Sequence, residues 1–130
     1  MSQKKQKILV IDDDPELIEF MENLLKINGY EVIVSCHSKE GIQKAKREKP
    51  DLILLDFIMP GLSGLEVLRQ IKLDPATKQI PVLMMSSVDA LDIITNALKM
   101  GADDYIIKPF EHDKLIDTIE MTLERQENSQ

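Results

Sequence analysis

The stretch Lys7-Ile8-Leu9-Val10-Ile11-Asp12-Asp13-Asp14-Pro15-Glu16 sets four apolar residues against three consecutive carboxylates. An apolar run that is continuous rather than alternating reads as a strand buried on both faces, the habit of parallel sheets. Asp14 followed by Pro15 reads as a helix N-cap with proline in the first turn. The segment is therefore a strand, a polar turn and a helix start, with Asp12 and Asp13 stranded between them.

The same alternation runs along the chain. Short apolar runs recur at Val32–Val34, Leu52–Leu55, Val82–Met85 and Tyr105–Ile107. Helical spacing appears between and after them. Leu17, Phe20, Met21, Leu24 and Leu25 mark a first helix, which Gly29 closes. Ile42 and Ala45, after Ser38, mark a second. Leu65, Leu68 and Ile71 mark a third, entered through Gly64. Ala90, Ile94, Ala97, Leu98 and Gly101 mark a fourth, and Leu115, Ile116, Ile119 and Leu123 a fifth. Strand–helix alternation repeated five times predicts βαβ crossovers, hence an α/β fold: a doubly wound five-stranded parallel sheet with helices on both faces.

With 130 residues, 43% hydrophobic and 30% charged, the chain has the material for one domain with a substantial core. The expected organisation is a single domain over 1–130, its core at about 7–124 and a polar, fraying tail at 125–130. No apolar run approaches a membrane span, and the run Ile8–Ile11 is too short for a signal-peptide core, so a cytoplasmic protein is expected. Cys36 is the sole cysteine, which excludes an intrachain disulfide and a thiolate metal cluster. A net charge of −7 argues against direct nucleic-acid binding, which needs clustered cations. The densest basic group, Lys44, Lys46, Arg47 and Lys49, reads as a solvated helix face.

In open parallel sheets the ligand site lies beyond the carboxyl ends of the strands. The residues that fall there are Asp12 and Asp13 after the first strand, Asp56 after the third, Ser86 and Ser87 after the fourth and Lys108 after the fifth. Like charges about 4 Å apart repel by roughly 4 kcal/mol at an effective dielectric near 20. A hard divalent cation relieves that repulsion, and Mg²⁺ takes one or two carboxylates together with phosphate oxygens. Lys108 adds a point charge suited to phosphate. Asp14 is assigned only its cap.

Four motifs in register extend this constellation. They are Ile-Leu-Val-Ile-Asp-Asp13, Leu-Leu-Asp-Phe-Ile-Met-Pro-Gly-Leu-Ser-Gly64, Pro-Val-Leu-Met-Met-Ser-Ser87 and Gly-Ala-Asp-Asp-Tyr-Ile-Ile-Lys-Pro-Phe110. Together they resemble the CheY-like receiver domain of bacterial two-component response regulators, from about Ile8 to Leu123. The resemblance implies a (βα)₅ flavodoxin-like fold with strand order 2-1-3-4-5. It implies that Asp56 accepts a phosphoryl group from the phosphohistidine of a sensor histidine kinase or phosphotransfer protein. Asp13 would then ligate Mg²⁺ directly, Asp12 through water, and Ile58 through its backbone carbonyl. Lys108 would pair with Asp56 or its phosphate, across a Lys108–Pro109 bond that is often cis in this family. Ser86 and Tyr105 would be the switch pair, read out on the face of the fourth helix, fifth strand and fifth helix. Such a protein is a switch rather than an enzyme, catalysing only its own phosphorylation and slow dephosphorylation.

Three features depart from the pattern or add to it. Ile58 carries no polar side chain beside the acceptor. The fourth helix is apolar over a broad arc, with Ile93 and Met100 beside its core face, and Met121 lies off the stripe of the fifth; these residues pack on neighbouring helices or form a partner patch for phosphorylation-dependent self-association. The stretch Asp117 to Glu124 is acidic where many DNA-binding regulators carry basic dimer contacts. Two rival classes compete: a Mg²⁺-dependent phosphatase of haloacid dehalogenase type, which Asp12-x-Asp14 superficially fits, and a pseudo-receiver acting purely as an interaction module.

Overall fold

A computed structural model describes residues 4–128. Ten elements alternate: β1 (Lys7–Ile11), α1 (Pro15–Ile27), β2 (Glu31–Ser35), α2 (Ser38–Glu48), β3 (Leu52–Asp56), α3 (Gly64–Leu73), β4 (Val82–Ser86), α4 (Leu91–Lys99), β5 (Asp104–Ile107) and α5 (His112–Asn128). All four strand pairings are parallel, in the order β2-β1-β3-β4-β5.

The continuous apolar runs are explained by two cores, one on each side of the sheet. Ile8, Val10, Leu52, Leu54, Leu83, Met85 and Ile106 pack with α1 and α5. Their strand neighbours Leu9, Ile11, Ile53, Leu55, Val82 and Met84 pack with α2, α3 and α4. Side chains alternate between faces at every residue, so a strand covered on both sides needs apolar residues at every position. β2 and β5 are the two edges, and there the reading of Val32–Val34 and Tyr105–Ile107 as buried on both faces is corrected: Val32, Ile33 and Val34 are only partly buried and Ile107 is 42% exposed, since an edge strand has a strand neighbour on one side alone.

Helix ends follow local chemistry. Asp14 accepts hydrogen bonds from the amides of Glu16 (3.0 Å) and Leu17 (3.4 Å), with Pro15 opening α1. α1 ends in a Schellman arrangement, Tyr30 N donating to Leu25 O and Gly29 N to Lys26 O, with Gly29 at φ 91°. The tail expectation needs correction: α5 continues through Asn128. Contacts to its last turn from elsewhere in the described residues include Gln126 Nε2 donating to Gln79 O (2.8 Å) and Gln6 Nε2 to Glu127 (3.3 Å). Residues 129–130 lie outside the described residues.

Candidate functional site

Strand register assembles the site. Ile11 pairs with Leu55, so Asp12 lies beside Asp56 at the next position. Asp56 pairs with Met85, and Ser86 with Ile107, which puts Lys108 one step beyond the end of β5. Alternation then sorts the polar groups. Asp12, Asp56 and Lys108 continue the series Ile8–Val10, Leu52–Leu54 and Ile106, which face α1 and α5. Ser86 and Tyr105 share the parity of Met84, toward α3 and α4.

On the first side, Lys108 Nζ lies 3.0 Å from Asp12 Oδ2 and 3.5 Å from Asp56 Oδ1. The shorter pairing is with Asp12, whereas the resemblance stressed Asp56. Asp12 is fully buried and its other oxygen accepts from Asp14 N at 3.0 Å. Asp56 is 6% exposed. Burial, and then the Asp12 charge, push the Asp56 carboxyl up to about 6, while Lys108 and the Ile58 backbone N–H pull it down. Asp13 is exposed, and its carboxylate makes no hydrogen bond among the described residues. One oxygen from each of Asp12, Asp13 and Asp56 falls within 4.8 Å of the others.

This donor set fits Mg²⁺. It consists of hard carboxylate oxygens, it carries three negative charges against the one of Lys108, and one carboxylate is solvent-facing and uncommitted. Ile58 sits two residues beyond β3 with its side chain 59% exposed.

The loop after β3 is pressed onto the site by α3. Gly64 N donates to Phe57 O at 2.8 Å. A methyl group at Gly64 would sit 2.6 Å from Phe57 Cα and closer still to the Asp56 carbonyl, so only glycine allows this approach. The Lys108–Pro109 peptide is cis.

On the other side, Ser86 is buried and its Oγ accepts from Val88 N at 3.2 Å. Tyr105 is half-buried, and its hydroxyl donates to Val88 O at 2.8 Å. One residue, Val88, thus joins the two switch candidates, Ser86 through its N–H and Tyr105 through its C=O. Sequence reading missed Val88 because only its backbone groups take part, and an apolar side chain gives no signal of that. Burial also raises the Tyr105 phenol above its ordinary range.

The remaining sequence readings fall out as follows. The basic group on α2 is largely neutralised: Lys44 pairs with Glu40, Lys46 with Asp74 and Arg47 with Glu48. Ile93 and Met100 are partly buried, whereas Met121 is 60% exposed. Among the described residues no helix is long and apolar enough to cross a membrane.

Comparison with known proteins adds an independent line. The family model described as the response regulator receiver domain matches residues 8–120. The DNA-binding response regulator MtrA of Mycolicibacterium smegmatis is 33% identical over 129 residues, covering 98% of this chain and 55% of that protein. The alkaline phosphatase synthesis transcriptional regulatory protein PhoP of Bacillus subtilis is 36% identical over 122 residues, covering 94% and 50%. The chain spans about half the length of the curated relatives it matches. A CheY-like response regulator receiver domain protein from Methanospirillum hungatei superposes with a TM-score of 0.90 at 30% identity, over 98% of this chain and all of that one.

Proposed function

Because the chain belongs to the response regulator receiver family of two-component signalling, we propose that Asp56 is its phosphoacceptor and that Asp12, Asp13, Lys108, Ser86 and Tyr105 serve the transfer and its readout. The family places the chain away from haloacid dehalogenase-type phosphatases. The observation that carries the reading is the ion-pair cluster itself: Lys108 within 3.0 Å of Asp12 and 3.5 Å of Asp56, groups far apart in sequence. A pure interaction module has no need to bury two carboxylates around one ammonium, since buried charges are costly unless paired.

In the proposed reaction an Asp56 oxygen attacks phosphorus, the N–P bond of a phosphohistidine on a sensor kinase or phosphotransfer protein breaks, and the imidazole leaves with its electron pair. Such transfers ask for positioning and charge neutralisation more than for a strong nucleophile. Asp56 is ionised at neutral pH, since its carboxyl titrates at about 6. Asp13, Asp56, the Ile58 carbonyl and, through water, Asp12 would hold Mg²⁺, which when bound neutralises charge on the phosphoryl oxygens. Lys108 supplies the cation on the opposite flank. Ser86 Oγ, which accepts from Val88 N, has a hydroxyl proton that it can donate to the new phosphoryl group. Movement of Ser86 would release the Val88 N–H and, by shifting that residue's backbone, the C=O that holds the Tyr105 hydroxyl, carrying the change to α4, β5 and α5.

Intact-mass measurement after incubation with a small acyl phosphate tests the reading. One added phosphoryl group is expected with Mg²⁺, and none with Asp56→Asn. Full labelling of the Asn variant would overturn the assignment. Ile58 sharpens it further. Its exposed apolar side chain beside the acceptor limits hydrolytic water, so Ile58→Asn should speed loss of phosphate by roughly tenfold, about 1.4 kcal/mol of barrier. An unchanged half-life removes Ile58 from that role.

A further inference from the structure

The opposite edge of the sheet, where the strands begin, holds a second polar site that the phosphoacceptor reading does not use. Tyr30 links α1 to β2 and is 8% exposed, packed within the α1–α5 core. Its hydroxyl makes no hydrogen bond among the described residues, and no fully buried side-chain polar atom there lacks a partner. The hydroxyl is therefore accessible, and Tyr30 lines a small pocket, about 150 Å³, with Gln6, Glu120, Leu123, Glu124 and Glu127. Burial and then the nearby Glu120 charge raise the phenol above its ordinary range, which agrees with this placement.

Glu120, Glu124 and Glu127 follow helical spacing along one flank of α5, and none is ion-paired among the described residues. The one bond recorded to the three is Gln6 Nε2 donating to Glu127 at 3.3 Å. Their oxygens do not converge as those of Asp12, Asp13 and Asp56 do, so they lack the geometry for a chelated metal ion. Spread acceptors suit a flat cation with several donors. Lys4 and Lys5 line the adjoining hollow, which shares Gln6, Tyr30 and Glu127 with this pocket, while Glu120 and Glu124 line the pocket away from those lysines.

We propose that this pocket receives the guanidinium group of an arginine side chain presented by a partner polypeptide. Guanidinium offers five N–H donors in one plane. The carboxylates, the Gln6 amide oxygen and the Tyr30 phenol oxygen offer matching acceptors around it. Ile27, 82% exposed at the end of α1, immediately precedes Asn28, which lines the adjoining hollow. That apolar neighbour suits the residues flanking an arginine in a polypeptide, which a free polyamine lacks.

The test is titration of the full chain, followed by ¹⁵N NMR, with a capped Leu-Arg-Leu peptide, its citrulline analogue and spermidine. The arginine peptide should give saturable shifts at Gln6, Tyr30, Glu120 and Glu127, and bind roughly tenfold more tightly than the citrulline form. Tyr30→Phe, which keeps the buried ring, should weaken it about threefold. The double change Glu120→Gln with Glu124→Gln, on the exposed side of α5, should abolish it. Equal affinity for the citrulline peptide, equal shifts with spermidine, shifts spread over every acidic surface, or indifference to both variants would each overturn the proposal.

Discussion

α3 and α4 cover the same face of the sheet but are held very differently. α3 sinks Val67, Leu68 and Ile71 fully into the core, whereas α4 sinks only Ala97. Ser63 caps α3 by accepting from Glu66 N at 3.3 Å, while Ala90 at the start of α4 has no side chain to do so. At its far end α3 is tied by Thr77 Oγ1 donating to Ile71 O and Lys72 Nζ to Ile80 O, both at 2.7 Å. α4 instead exposes Leu91 and Leu98. Helices with few buried apolar contacts open at low free-energy cost. α3, whose N-terminus abuts the backbone of Asp56 and Phe57, is therefore the more firmly seated helix, and α4, which follows the Val88 contact to Ser86 and Tyr105, should be the easier one to open.

The comparison breaks most visibly in the core. Leu68→Ala on α3 should cost about 3 kcal/mol by urea unfolding, the usual range for a buried leucine. A loss below about 1 kcal/mol would show that α3 is no better seated than α4.

The next effect comes from Asp56, whose backbone α3 abuts. Asp56 holds its proton more tightly folded than unfolded, because its carboxyl rises from 3.8 to about 6. Folding stability contributed by this group is therefore lost as pH rises from about 4 to about 6, and stays lost above. Asp56→Asn, without divalent cations, should stabilise the domain at pH 7.5 by about 1–2 kcal/mol, below the full two-unit figure because of solvent screening. Melting temperatures at pH 4.5 and 7.5 should accordingly differ less in the variant. An equal difference in both proteins would mean that Asp56 is not the group strained by burial.

Tyr105→Phe removes the bond to Val88 O. It should cost about 1 kcal/mol and accelerate amide exchange in α4 while leaving α3 protected; equal acceleration in both helices would refute the tether. Smallest is Leu98→Ala, from an exposed position on α4, expected within about 0.5 kcal/mol of the parent. A larger loss would place Leu98 in a contact that the fold does not display.

Much of this was legible in the chain because its cues are local. Continuous apolar runs marked strands buried on both faces, Asp14-Pro15 marked the start of α1, and strand ends marked Asp12, Asp56, Ser86 and Lys108. Residue-level burial was less legible. Ile18 and Val67 are buried without having been singled out, and α4, apolar over a broad arc, buries almost nothing. Periodicity states which face is apolar, and the neighbour that covers it comes from elsewhere in the chain. The length of α5 was misjudged for the same reason, since contacts to its polar last turn come from Gln6 and Gln79, elsewhere in the chain.

The amino-acid order alone determined the alternating architecture and which polar residues end the strands, because backbone periodicity and capping act over a few residues. Only the tertiary structure decided that Lys108 bonds Asp12 more closely than Asp56, that the backbone of Val88 joins Ser86 to Tyr105, and that Tyr30 lines a pocket with three glutamates. Those outcomes rest on register and packing between segments distant in the chain, where shifts of about 1 Å separate a hydrogen bond from none.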